Sequence, residues 1–103
     1  MYKFNVNKNI LSDYNGYSDE MLKEITYVKI STYRTRVMKA LDGDVKIPSK
    51  IAIDANIMQN HISNVLRQLK EHELVECINP EDKKGRLYRL TDKGKKVTEN
   101  LKD

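Results

Sequence analysis

Four polar side chains, spaced three or four residues apart, share one face of a helix that the sequence predicts from about Gln59 to His72. They are Asn60, Ser63, Asn64 and Arg67. Their amide, hydroxyl and guanidinium groups donate and accept hydrogen bonds without carrying negative charge. An ordinary solvated helix mixes glutamate with lysine, but no acidic residue occurs between Ala55 and Lys70. The pattern indicates a surface that approaches phosphate groups.

The positive charge of the chain is unevenly distributed. The 103 residues contain 19 Lys and Arg against 15 Asp and Glu, a net charge of +4. Residues 1–28 hold three basic and four acidic residues, so residues 29–103 carry the whole basic excess, with 16 basic and 11 acidic. A mildly basic total is by itself a weak indication of nucleic-acid binding. Its concentration in one part of the chain strengthens that indication.

The composition argues against several classes of function. A single cysteine, Cys77, allows no intrachain disulfide, and one cysteine with two histidines does not suit a closed zinc site. The four glycines are isolated, so no glycine-rich phosphate loop is present. Since no nucleophile with a base and no paired carboxylates appear either, we expect no enzymatic activity, no metal and no cofactor. The longest apolar run, Ile51–Ile53, is too short to cross a bilayer, so we expect a soluble, cytoplasmic protein without a membrane partner.

The opposite face of the predicted helix is apolar. Its stripe is about 100° wide and contains Met58, Ile62, Val65, Leu66 and Leu69. We expect this stripe to face the core of the domain. His61 lies at its margin, where we expect a partly buried, hydrogen-bonded side chain, and His72 is placed to interact favourably with the negative end of the helix dipole.

Two shorter helices are predicted before it. The first follows Ser31 as N-cap, stops at Asp42, and has an apolar stripe of Ile30, Tyr33, Val37, Ala40 and Leu41. Its basic residues Arg34, Arg36 and Lys39 are expected to be solvated. The second begins at Pro48, whose missing N–H costs nothing at a first helical position, and ends before Asn56. Asn56 suits the left-handed conformation that a tight turn between helices requires.

A β-hairpin and a last helix follow. Leu74–Ile78 and Arg86–Leu90 are predicted strands, joined by a basic loop. Thr91 is the predicted N-cap of a helix that runs from Asp92 to about Leu101, with Val97 and Leu101 facing inward.

The first 28 residues are predicted less sharply. Tyr2, Phe4 and Val6 alternate with polar residues, as on a short strand. Asp19–Thr26 has helical spacing, whereas Tyr27–Ile30 also fits an extended segment. We expect residues 1–28 to form an N-terminal arm that either packs loosely on the domain or serves as a dimerisation element.

The predicted elements give a mainly α fold with a small β-hairpin, of the α+β class. From Tyr27 to Asp103 the chain resembles the winged helix-turn-helix transcriptional regulators of archaea, in the broad MarR/ArsR-like group. The resemblance rests on Pro48–Ala52, His61–Leu69, Leu74–Cys77 and Arg86–Gly94. Two positions depart from the family pattern, because Met58 stands where a Ser or Thr cap is usual and Glu73 where Gly is usual. The resemblance implies that residues 29–103 form a winged helix-turn-helix DNA-binding domain.

The same resemblance implies a sequence-specific, double-stranded DNA-binding transcriptional regulator that acts as a dimer. The helix at about 59–72 would lie in the major groove, where asparagine can pair with adenine and arginine with guanine. The loop at about 79–86 would be the wing on the DNA backbone. The candidate base-reading residues are Gln59, Asn60, Ser63, Asn64 and Arg67, and the candidate backbone contacts are Ser49, Lys50, Lys70, Lys83, Lys84 and Arg86. The alternative is a winged-helix module for protein contacts, such as a subunit of transcription or repair machinery, because the fold alone does not imply base reading.

Overall fold

The computed structural model describes residues 18–101, in which five helices and a two-stranded antiparallel sheet pack around one core. The elements are α1 (Asp19–Lys29), α2 (Thr32–Ala40), α3 (Pro48–Ala55), α4 (Gln59–Glu71), β1 (Val75–Cys77), β2 (Tyr88–Leu90) and α5 (Asp92–Glu99). The predicted α+β fold class is confirmed. The strand predicted at Tyr2, Phe4 and Val6 lies outside the described residues. None of the helices in residues 18–101 is long and apolar enough to span a membrane.

Helix α1 continues through Lys29, so the extended alternative for Tyr27–Ile30 is wrong. The Ser18 hydroxyl caps its start by accepting a hydrogen bond from the backbone N–H of Met21 at 3.1 Å. Ile25 and Val28 lie one turn apart and are both buried, because they pack into the common core. The predicted boundary between residues 28 and 29 thus falls inside a helix that belongs to this core.

Helix α2 begins after Ser31, as predicted, and the Ser31 hydroxyl accepts from the N–H of Arg34 at 3.2 Å. The predicted apolar stripe is right for Val37 and Leu41 but wrong for Ile30 and Tyr33, whose exposed fractions are 74% and 37%. Ile30 is the C-cap residue of α1 and lies outside α2, so the helical spacing does not extend to it. Met38 is fully buried instead, a core position that the stripe omitted.

The turn between α3 and α4 has the predicted signals. Pro48 is the first residue of α3, and Asn56 has φ 57° and ψ 51°, the left-handed conformation expected of it. In α4 the stripe of Ile62, Val65, Leu66 and Leu69 is buried. Met58 was predicted to join this stripe, but it is 68% exposed, because it is the extended N-cap residue and precedes the helix.

The hairpin and α5 close the domain. Val75 pairs with Leu90 and Cys77 with Tyr88, and Tyr88 also forms a bridge with Lys46 in the link between α2 and α3. The Thr91 hydroxyl caps α5 by accepting from the N–H of Gly94 at 2.9 Å. Val97 and Leu101 are buried, as predicted. Within this fold α4 lies with its apolar face in the core and its opposite face exposed.

Candidate nucleic-acid interface

The exposed face of α4 carries the residues whose chemistry the sequence singled out. Its buried side faces the core, so the side chains on the opposite side project away from the domain. Those that are exposed together on α4 are Gln59, Asn60, Ser63, Asn64, Arg67 and Lys70. The first carboxylate on the helix is Glu71, its last residue. The structure therefore brings the predicted base-reading residues together on a single helix surface.

Two members of this surface are joined to each other. The Arg67 guanidinium donates through Nη2 to Oδ1 of Asn64, one turn earlier. Through Nη1 it donates to Oε2 of Glu71, one turn later, at 3.4 Å. The Arg67 side chain therefore lies along the helix axis, between the Asn64 amide and the Glu71 carboxylate.

Gln59 and the predicted contacts on α3 form one edge of the surface. Nε2 of Gln59 donates to the backbone carbonyl of Ser49 at 3.2 Å, which ties the first turn of α4 to the first turn of α3. Ser49 and Lys50 are exposed there. The Lys50 ammonium lies 3.1 Å from Asp54, and Lys46 lies 2.7 Å from the same carboxylate. Hydrogen bonds from Lys46 and then from Lys50 hold the pKa of Asp54 below its usual value.

The wing, residues 78–87 between β1 and β2, is organised by one side chain that the sequence analysis missed. Nδ2 of Asn79 donates to Oδ2 of Asp82 at 2.9 Å and to the carbonyl of Gly85 at 3.1 Å. Oδ1 of Asn79 accepts from the N–H of Leu87 at 2.7 Å. The signal that could have found it is an Asn at the start of a loop, whose side chain often replaces backbone partners in turns.

The three basic residues predicted on the wing differ in their surroundings. Arg86 donates through Nε to the carbonyl of Asp82 at 2.7 Å and so folds back onto the loop. Lys83 and Lys84 are exposed and form no ion pair with any residue between 18 and 101. Lys70 on α4 is likewise exposed without an ion pair in this part of the chain. Among the predicted backbone contacts, these lysines are the cations most available to an external phosphate.

Behind the surface, Arg34 connects three helices, contrary to the expectation that it is solvated. Nη1 of Arg34 donates to the carbonyl of Tyr27 at 2.9 Å, and Nε donates to Oε1 of Gln68 at 3.2 Å. Its guanidinium lies 3.8 Å from the centre of the Tyr27 ring. The sequence could not show this role, because it depends on α1 and α4 both reaching the first turn of α2.

A buried carboxylate anchors the last turn of α4. Glu24 of α1 is 7% exposed, and its oxygens lie 2.8 Å from Nδ1 of His72 and 2.7 Å from Nζ of Lys93. Burial by itself raises the pKa of Glu24, but hydrogen bonds from Lys93 and His72 outweigh it and lower the pKa below its usual value. The Glu24 hydrogen bond in turn raises the pKa of Lys93. The His72 ring also stacks on Tyr27 at 3.7 Å, a contact beyond the helix-dipole role expected for it.

His61 does not occupy the partly buried position expected for it. It is exposed, and its ring lies 5.5 Å from that of Tyr33 at an angle of 46°. The margin of the α4 stripe thus lies beside Tyr33 in the first turn of α2 without being covered by it. Within residues 18–101 no group of three or more His, Cys, Asp or Glu side chains could hold a metal ion.

Comparison with known proteins shows the family to which this architecture belongs. Residues 35–103 match a family model described as winged helix-turn-helix. No curated protein sequence matches the chain. Among solved structures, a MarR family transcriptional regulator from Silicibacter pomeroyi DSS-3 is similar with a TM-score of 0.62 and 18% identity, over 81% of this chain and 62% of that one. A second MarR family regulator from Silicibacter pomeroyi gives a TM-score of 0.62 and 24% identity, over 93% of this chain and 64% of that one.

A third similar structure is that of NadR in complex with 4-hydroxyphenylacetate, with a TM-score of 0.62 and 17% identity over 98% of this chain and 73% of that one. At these identities the likeness shows the fold, which is that of MarR-family regulators. The chain spans less than two thirds of the length of the two Silicibacter regulators.

Proposed function

Because the chain belongs to the winged helix-turn-helix family, we propose that it is a sequence-specific, double-stranded DNA-binding transcriptional regulator rather than an enzyme. In this proposal α4 enters the major groove and the wing lies against the backbone, the arrangement that the fold uses elsewhere. The archaeal grouping and the cytoplasmic location of the protein stay predictions.

The exposed face of α4 is the observation that supports this proposal most strongly. It presents amide, hydroxyl and guanidinium groups, the side-chain types that pair with base edges in the major groove. It presents no carboxylate before Glu71. A surface made only to be solvated would carry acidic residues among these positions.

Backbone contacts would come from the two edges of this face. Ser49 and Lys50 lie at the start of α3, where the positive end of the helix dipole favours a phosphate. Lys70 lies near the end of α4, and Lys83, Lys84 and Arg86 lie on the wing. Contacts of this kind fix the register of a protein on DNA and carry no sequence information directly.

We propose that two copies bind together, because one recognition helix reads only a few base pairs. Two helices about 34 Å apart reach successive major grooves on one side of the duplex. Residues 1–28 and α5 are the candidate dimerisation segments. Sedimentation of the full chain with its DNA site measures the number of copies, and a strict monomer on a site without a repeat would contradict the dimer.

A fluorescence titration with mixed double-stranded DNA at two salt concentrations tests the proposal. We expect binding that weakens as salt rises, since neutralised phosphates release counterions. No binding at low salt would refute the DNA-binding function and favour a winged-helix module for protein contacts.

Two substitutions separate base reading from backbone contact. Arg67→Ala should cost about 1–3 kcal/mol on a selected site while changing nonspecific binding less. Lys84→Ala should weaken all sequences alike and reduce the salt dependence by about one phosphate contact. Both side chains are exposed, so neither change removes core packing. Equal losses on specific and mixed DNA for Arg67→Ala would contradict its place among the base-reading residues.

A further inference from the structure

We propose that Asn64 and Arg67 read DNA as one unit that prefers guanine, rather than as separate readers of adenine and guanine. The inference rests on the proposed function of α4 and adds to it the base that this part of the helix selects. It follows from the hydrogen bond between the two side chains and from what that bond leaves available.

The acceptor atom of the Asn64 amide is already engaged within the helix. An asparagine that recognises adenine uses both ends of its amide, since Oδ1 accepts from the adenine N6 amino group while Nδ2 donates to N7. In this structure Oδ1 of Asn64 already accepts a hydrogen bond from Nη2 of Arg67. Only the Nδ2 end of the amide is therefore without a partner in the described part of the chain.

The positive charge of Arg67 also determines which bases can approach Asn64. The Arg67 guanidinium is a permanent cation, and it lies against Oδ1 of Asn64. An adenine or cytosine amino group brought to the same oxygen would place its positive hydrogen beside this cation. Guanine brings no such hydrogen in the major groove, because O6 and N7 are both acceptors.

Several N–H groups of Arg67 and Asn64 have no partner within the helix. Arginine has five N–H groups, of which one is donated to Asn64 and one to Glu71. Three N–H groups of Arg67 and the Nδ2 amino group of Asn64 are left for DNA. The pair therefore has donors to offer on both side chains, which suits the two acceptors that guanine presents in the major groove.

Glu71 keeps this arrangement in place. Its carboxylate holds the other terminal nitrogen of Arg67 at 3.4 Å, so the guanidinium is secured on both sides. In solvent an exposed ion pair of this spacing contributes little. Once the helix lies in a groove and water is excluded, the hydrogen bonds among the three side chains become stronger, and swinging Asn64 away to meet adenine would break one of them.

Selection of bound sequences from a random double-stranded DNA pool, with the full chain and three variants, tests the inference. We expect guanine at the base pairs whose preference depends on Asn64. Asn64→Ala and Arg67→Ala should lose that preference at the same one or two base pairs. Arg36→Ala is the matched control, because it removes an exposed arginine of α2 that is not among the candidate DNA contacts and has no hydrogen bond to either side chain; it should keep the guanine preference.

Modified bases then identify which guanine atoms the protein contacts. On the selected site, 7-deazaguanine removes N7 and should weaken binding at least about fivefold, the lower end of what a bidentate pair contributes to discrimination. Inosine keeps O6 and N7 and should bind like guanine.

The outcomes separate this inference from the function on which it rests. Adenine at the position that Asn64 controls, or loss of preference at different base pairs in the two variants, would overturn the paired reading and leave DNA recognition by α4 standing. A guanine preference that survives Asn64→Ala would overturn it as well. A pool in which no sequence is enriched would overturn the proposed function and this inference together.

Discussion

Replacing Gly94 with alanine tests how closely α5 must approach the start of the hairpin. Gly94 is in the first turn of α5, and a Cβ atom added to it would lie 2.0 Å from the carbonyl oxygen of Leu74. The same atom would be 3.0 Å from the Leu74 carbonyl carbon and 3.4 Å from its Cα. All three neighbours are backbone atoms, so no side-chain rotation can relieve the contact.

Helix propensity and packing predict opposite signs for this change. Gly→Ala inside a helix normally stabilises a protein by about 0.5–1 kcal/mol. Here the added methyl group and the Leu74 oxygen must separate by about 1 Å before their contact becomes tolerable. Leu74 is fully buried, and its carbonyl also accepts from the N–H of Thr91 at 3.1 Å. Overpacking costs about 1–3 kcal/mol and a disturbed buried hydrogen bond about 1 kcal/mol more, so after the gain in helix propensity we expect a net loss of about 2 kcal/mol.

Urea unfolding of the full chain, followed by circular dichroism, measures this loss. Lys96→Ala in the same helix is the matched control, because Lys96 is exposed and the change should be almost neutral. Gly85→Ala is a second control, since Gly85 has φ +68° but nothing within 4 Å of an added Cβ. That variant should lose only about 1 kcal/mol, the cost of a left-handed conformation. A Gly94→Ala protein as stable as the original would refute the argument from close approach.

Three further substitutions test the anchor, the helix end and the wing. Since hydrogen bonds lower the pKa of Glu24, the stabilising effect of its carboxylate is complete above about pH 4.5 and declines as pH falls through the lowered pKa. Glu24→Gln should therefore make the free energy of unfolding depend less on pH on the acid side. An unchanged pH profile would contradict the role of the carboxylate. Glu73 has φ 60°, so Glu73→Gly should raise the free energy of unfolding by up to about 1 kcal/mol, and a decrease would count against left-handed strain at this position. Asn79→Ala should destabilise by about 1–3 kcal/mol in urea unfolding and weaken binding to all DNA sequences equally; a change in sequence preference would show that the wing reads bases.

The features that the sequence predicted well are those decided within one element. The buried stripe of α4 depends only on the spacing of four apolar residues. Ser31 and Thr91 cap helices with their own hydroxyls, and Pro48 and Asn56 act through their own backbone preferences. Each of these signals is local, and local geometry was enough to predict its effect.

The failures come from positions beyond a helix end and from contacts between elements. Ile30 and Met58 fit the period of the following helix but precede its first residue, so they are exposed. Arg34 and Glu24 are polar residues on helices and would ordinarily be solvated. Their partners come from α1, α4 and α5, and no spacing within one helix indicates which polar residue a neighbouring helix covers.

The candidate site shows the same division. Exposure of the α4 face was predictable from its buried opposite side, whereas the links from Arg67 to Asn64 and from Gln59 to Ser49 depend on side-chain torsions and on the packing of α3. Asn79 orders the wing through partners up to eight residues away. The residue types of the site were therefore readable, but which groups are already engaged was not.

Which cations are already engaged within the chain bears on how many copies bind DNA. Of the predicted backbone cations, Lys50 is paired with Asp54 and Arg86 donates to wing carbonyls, so Lys70, Lys83 and Lys84 are the three without an ion pair or such a bond in residues 18–101. Each neutralised phosphate contributes about −0.9 to the slope of log affinity against log salt, so these three lysines supply a slope of about −2.7 in one copy and about −5.4 in two copies. A single copy would thus combine weak phosphate attraction with a short reading face. Two copies on the same duplex double both the phosphate attraction and the length of DNA that is read. The titration at two salt concentrations distinguishes the two slopes.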